Sequence, residues 1–417
     1  MKKRKRHTGL IVVLCMAAVI AVIAGIYSHF GGFGTGNCAD TEEFAKYAAS
    51  VSELTVPDEV QIIALGEATH RNKEFQQLRL DVLQVLVEKY GVRAFALEGD
   101  FGGCEAINRY IHREGDTAAE ALSATGFAIY RTEEMENFVE WMRDYNASAT
   151  QGDDLRFYGF DMEQRAYTYR YLLEALQKAN IDTADFEKMW NSEANTYADG
   201  YTVEQRTEII TAVKEQLPPD DVQAIHFADI LLQNIELGKY IDDSGELNTQ
   251  RDRMMAENTL WILQQEQARG KRRILISGHN NHIMQCENAG TPVLGSLLAE
   301  NLGDGYFAIG TDFYKSVCNL PKPYTGKRIT HTFYSYDPLA KASKKCGFDV
   351  SFLDFSKVPE GSALMEYIAN SVPMGSLGEY YSILMNFVPR SYRVWRAPQD
   401  AYDAMIFVAD AMPIEIR

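Results

Sequence analysis

Positive charge is what this chain is short of. Its 417 residues carry 41 lysines and arginines against 58 aspartates and glutamates, a formal net charge of −17. Five of those cations crowd into Lys2 to Arg6, so the remainder sets 36 cations against 58 anions, about −22. A surface this acidic repels phosphate backbones, and no lysine and arginine cluster interleaved with aromatics offsets it; no nucleic acid is expected as a partner. Cysteine is scarce too. None of the six are spaced as C-x-x-C, which speaks against a zinc ribbon or a thioredoxin-like pair. Cys318 and Cys346 could pair in an oxidising compartment, but the odd five cysteines outside the N-terminal apolar run also suit scattered buried thiols.

Several catalytic signatures are missing. The nearest approach to a G-x-S-x-G elbow, Met374-Gly375-Ser376-Leu377-Gly378, lacks the first glycine, so a serine nucleophile of the α/β-hydrolase kind is not expected. H-E-x-x-H, the P-loop and a G-x-G-x-x-G on a strand-to-helix turn are absent as well. There is no internal repeat and no low-complexity tract.

What is present begins with an apolar run, Gly9 to Tyr27, nineteen residues without a charge behind the cations of Lys2 to Arg6. At about 1.5 Å per residue it nearly matches a hydrocarbon core of about 30 Å. No Ala-x-Ala site follows from Tyr27 to Ala39. The run therefore reads as an uncleaved, single-pass signal-anchor in the cell membrane, with the catalytic domain outside the cytoplasm. Residues 1–30 form this tail and anchor, and 31–50 a glycine-rich stalk and the start of the globular region.

Beyond the stalk, short apolar runs alternate with longer amphipathic ones, as in a mostly parallel sheet flanked by helices. Strands are expected at about 60–66, 92–98, 155–161, 272–278, 305–311 and 404–409. The first intervening helix is marked by Phe75, Leu78, Val82, Val85 and Leu86 at steps of three and four, ending at Gly91. Arg79 sits at the edge of that stripe, where a cation needs a carboxylate or a route to water. Tyr167 to Lys178, Val203 to Gln216, Asp221 to Ile241 and Arg251 to Arg269 have helical spacing, separated by Asp, Gly and Pro, and residues 165–270 read as a helical lobe inserted over the cleft. The α/β catalytic domain is then 51–164 with 271–417.

The strand ends carry the chemistry. Glu67 follows the first strand, Glu98 ends the second, Asp161 ends the third and His279 lies just past the fourth, with His70 and His282 close by. In an open parallel sheet those ends share one edge, where the ligand crevice forms. Strand ends are also polar simply because chains surface there, and Asp161 reads equally as a helix cap. Glu67 beside His70 stabilises a protonated imidazole and fixes its tautomer, so His70 can take a proton from water near neutral pH. Asn280, in His279-Asn280-Asn281-His282, adds donors for a developing oxyanion.

Two rival readings use the same residues. His70, His279 and His282 with Glu67 or Glu98 could ligate zinc, but they complete no zinc signature, and Arg79 near the cleft opposes a divalent cation. A ligand-binding or surface-polymer-processing protein could also keep the cleft without hydrolysing anything.

With these residues in place, the sequence resembles the erythromycin esterase family. The matches are GEATHRNKEF at 66–75, Arg79 nine residues after the histidine, ALEGD at 96–100, Asn108 with Tyr110, RDYN at 143–146, FYGFD at 157–161, RDRMMAEN at 251–258 and GHNNH at 278–282. The resemblance implies a sheet domain with a helical lobe over the cleft. It also implies hydrolysis of a small-molecule ester or macrolide lactone by histidine-activated water, with no cofactor and no metal. Carried onto matching positions, His70 is the general base, Glu67 and Glu98 position it or the water, Arg79 is a charged partner, and His279 and His282 contact substrate or oxyanion. The family generally has glycine after the histidine; Arg71 here places a long cation beside the base, narrowing the pocket or favouring an anionic substrate. The N-terminal anchor is a second departure.

Overall fold

The computed structural model describes residues 13–25 and 37–417, apart from residue 116. Twelve strands are described. β1 (Ile62–Glu67), β2 (Ala94–Asp100) and β3 (Arg156–Asp161) come first, followed by a two-residue hairpin, β4 (Trp190–Asn191) and β5 (Thr196–Tyr197). β6 (Ile274–His279), β7 (Tyr306–Pro321), β8 (Arg328–Tyr334), β9 (Val350–Asp354), β10 (Val372–Gly375), β11 (Arg393–Arg396) and β12 (Ala404–Ala411) complete the set.

Eight of these make one sheet in the order β3-β2-β6-β1-β7-β12-β9, with β8 paired to β7. β3, β2, β6, β1, β7 and β12 run parallel, while β9 and β8 are antiparallel to their neighbours. Every residue of β1, β2 and β6 is buried, as expected for strands covered by helices on both faces. All six strands expected from the alternating pattern are present. The expected first helix is Lys73–Tyr90, closed by Gly91 in the left-handed conformation at φ 66°. Between β3 and β6 the chain is helical apart from the β4–β5 hairpin. Ala166–Lys178, Val203–Lys214, Val222–Leu237 and Ser244–Ala268 are its long helices.

The strand order positions the site. The chain leaves β1 for β2 and β3 on one side, then returns to insert β6 between β2 and β1 before β7 adds on the far side. The direction of winding therefore changes at β1 and β6, whose register pairs Glu67 with His279 at their ends. Close packing there depends on glycine: a Cβ on Gly66 would stand 2.1 Å from Asn280 Oδ1, and one on Gly278 would stand 2.9 Å from Glu98 Oε2.

The expectation of a single-pass membrane anchor is corrected. Among the described residues no helix is long and apolar enough to cross a membrane. The basic tail, both ends of the 9–27 run and the glycine-rich stalk lie outside the described residues. The six cysteines are all free. Cys318 lies buried against Thr69, Ser316 and Asn72, whereas Cys346 donates to Thr41 O at 3.2 Å.

Candidate active site

Glu67, the last residue of β1, is the hub. Its Oε1 meets His70 Nδ1 at 2.6 Å and its Oε2 accepts from Arg79 Nη2 at 2.7 Å. Arg79 reaches it from the helix Lys73–Tyr90. It is fully buried, spends Nε on Ser277 Oγ at 3.1 Å, and lies 5.4 Å from the centre of the Tyr130 ring. Burial alone would raise the Glu67 carboxyl, but Arg79 and His70 overcome it and hold the group below its usual value. Burial alone would likewise lower His70, yet Glu67, Glu98 and Glu379 prevail and leave it above an ordinary histidine.

His279 closes the other side, its ring centre 5.0 Å from that of His70 and tilted by 45°. Its Nδ1 accepts the N–H of Asn281 at 3.3 Å, so in the neutral ring the proton sits on Nε2. That nitrogen is buried with no partner in the protein. Burial and the neighbouring His70 push His279 down to about 3, so the ring is neutral near pH 7.

Glu98 sits where the β2–β3 register shifts between Leu97 and Asp100. The β2–β6 ladder ends at Leu97 opposite Ser277, and the Glu98 carboxylate takes the next donor, accepting His279 N–H at Oε2, 2.7 Å. Oε1 faces Arg251 Nη2 at 3.1 Å and His282 Nε2 at 3.4 Å. Burial works to raise this carboxyl, but His282, Arg251, His70 and the His279 N–H together take it far below its usual range.

Asp161 is gripped by Arg251 at 2.5 Å, while its Oδ1 accepts the N–H groups of Met162 and Glu163. It thus both caps a turn and anchors a cation. His282 Nδ1 meets Asp252 Oδ1 at 2.7 Å; held between two carboxylates, its pKa rises despite the opposing effect of burial.

The structure thus gathers Glu67, His70, Arg79, Glu98, Asp161, His279 and His282 at one edge of the sheet. Two expected contacts are placed otherwise. Asn280 is buried and ties β6 to β7, donating to Thr311 O at 2.7 Å and accepting Thr311 N–H at 3.1 Å. Both its amide atoms are engaged by backbone. Arg71 is buried and sits among Cys318, Arg328, Glu379 and Tyr380, where burial and then Arg328 lower its pKa. It bonds to none of the cluster.

Arg251 and Asp252 were not singled out from the sequence, although RDRMMAEN contains both. They come from the helix Ser244–Ala268 and carry no signal in the strand-end pattern. Among the described residues no group of three or more His, Cys, Asp or Glu side chains could hold a metal ion.

The chain matches the erythromycin esterase family model over residues 87–411. It is 25% identical to the erythromycin esterase type II of Escherichia coli, covering 76% of this chain and 85% of that one. Among solved structures it resembles a succinoglycan biosynthesis protein at 18% identity and TM-score 0.74, over 90% of this chain and 98% of that one. A mutant of the erythromycin esterase EreC in its open conformation gives 16% identity and TM-score 0.56, over 85% of this chain and 91% of that one. At these identities the two structures speak for the fold alone.

Proposed function

The chain belongs to the erythromycin esterase family, and from that premise we propose that it hydrolyses a carboxylic ester or lactone with His70 activating water. The observation that carries this reading is the His70–His279 pair, two imidazoles 5.0 Å apart whose Nδ1 atoms face a carboxylate in His70 and a backbone N–H in His279. With its Nδ1–H on Glu67, His70 offers the Nε2 lone pair as a base.

Water gives its proton to His70 Nε2 as its oxygen bonds the carbonyl carbon, and the carbonyl π electrons move onto oxygen. The buried Nε2–H of His279 supplies a donor for that oxyanion. On collapse the bond to the leaving oxygen breaks, and the proton on His70 passes to the alkoxide. One water is consumed, giving an acid and an alcohol, or an opened ring from a lactone. Glu98 acts at one remove, fixing His279 through its backbone N–H.

No step requires a metal. The acceptors around His70 and His279 are already engaged, Glu67 by the Arg79 cation and Glu98 by the Arg251 cation and the His282 ring, and a divalent ion would have to displace them.

Macrolide lactone is the first substrate to test, alongside simple aryl esters. Water addition followed by mass spectrometry is expected for the wild type and lost in His70→Asn. Loss of activity on chelation that zinc restores would overturn the metal-free mechanism. Absence of turnover across a broad ester screen would overturn the hydrolase reading.

A further inference from the structure

The helical segment between β3 and β6 carries a pocket of about 470 Å³ open to solvent on one side, within the span of about 300–1,000 Å³ usual for small-molecule sites. Arg165 and Arg206 both stand against the ring of Tyr197 on its wall, 5.5 and 4.9 Å from the ring centre. Arg165 is steadied by Thr196, whose Oγ1 accepts from Nε and Nη2 at 3.1 and 2.6 Å. The Nε of Arg206 is buried with no hydrogen-bond partner. Among the described residues neither arginine has a carboxylate partner. This is unusual in a chain of net charge −17, where a buried guanidinium N–H left unpaired is costly.

The acidic residues of the wall do not answer that charge. Glu163 pairs with Arg251 at 3.6 Å, and Asp199 is exposed. Val203, Ile235 and Leu247 make the rest of the surface largely apolar. Glu163 also links the cavity to the catalytic cluster, since Arg251 grips Glu98 and Asp161.

We infer that this cavity is a subsite for an anionic oxygen group, a carboxylate, sulfate or phosphate, on the non-reacting part of an amphiphilic substrate. Acceptor-only oxygens complement the guanidinium donors, and the apolar wall takes the attached hydrocarbon. The assignment of the ligand as substrate rests on the hydrolase reading; the binding itself does not.

The test is calorimetric binding of octanoate against 1-octanol, which share a chain and differ in the anionic head, to the full chain. Octanoate is expected to bind about tenfold more tightly, the effect of a charge-assisted hydrogen bond. Arg206→Gln and Arg165→Gln should each remove most of that preference, with Arg206→Lys keeping part of it. Thermal melting checks that each variant is folded, and if one is not, the other carries the comparison. Equal affinities in the wild type, or a preference that survives both Gln substitutions, would overturn the subsite. Ester turnover is followed in parallel: its absence with the octanoate preference intact removes the hydrolase reading and leaves the subsite standing.

Discussion

Arg79 and Glu67 form a buried ion pair of 2.7 Å in which neither side chain is more than 2% exposed, and the second oxygen of the same carboxylate holds His70. The guanidinium thus keeps ionised the group that orients the base. Arg79→Gln strands a carboxylate in the core, and the expected loss is about 3–5 kcal/mol of stability, read from urea denaturation. Neutralising both partners, Arg79→Met with Glu67→Gln, should cost less than the sum of the single changes. Simple additivity would show that the pair is not coupled.

The pH profile follows from His70. Its pKa is raised because Glu67, Glu98 and Glu379 outweigh burial. A base must be neutral to accept a proton, so kcat/KM should fall as pH drops through a value above the ordinary histidine pKa of about 6.5. Glu67→Gln removes the strongest acidic neighbour and should move that acid limb to lower pH. The stability contribution has its own sign: a raised histidine stabilises fully below about 6.5 and loses this as pH rises through the folded value. An acid limb that stays put in Glu67→Gln would exclude His70 as the titrating base.

Much of this cluster could be read from the sequence because parallel strands deliver their last residues to one edge. Glu67, Asp161 and His279 end their strands, Glu98 lies two residues before the end of β2, which runs on to Asp100, and Arg79 is a cation on an apolar stripe. Residues whose roles depend on register or distant packing could not be read that way. Asn280 follows His279 directly, yet its amide faces Thr311 because β7 lies beside β1. Arg251 and Asp252 reach the site through the fold of a helix some ninety residues beyond β3. The antiparallel β9 and the β7–β8 hairpin also left no mark in the alternating pattern.

His279 offers a cleaner catalytic test than Glu98, because its Nε2–H has no partner in the protein and the ring's Nδ1 accepts only the Asn281 N–H at 3.3 Å. His279→Ala should lower kcat by about 10²–10³, the usual effect of removing one oxyanion donor, with a much smaller change in KM. Because the ring titrates only at about 3, it should add no second limb to the profile between pH 5 and 8. A change in KM alone, with kcat intact, would assign His279 to ground-state binding.

The last prediction concerns two carboxyls outside the cluster. Asp312 on β7 and Asp337, which caps the helix Pro338–Lys345, are fully buried side by side. Burial and their mutual repulsion push Asp312 well above its usual value, and burial takes Asp337 to about 7. In the unfolded chain both ionise near 3.9. Between there and neutrality the folded protein binds more protons than the unfolded one, so this pair stabilises fully at acidic pH and progressively less as pH rises through about 7. Asp337→Asn keeps an acceptor for the Leu339 N–H, which lies 2.8 Å from Oδ1, and cannot ionise. Urea midpoints at pH 4.5 and 7.5 should therefore differ less in Asp337→Asn than in the wild type, with the variant gaining at the higher pH. Parallel midpoints in the two proteins would mean that Asp337 is already ionised in the fold.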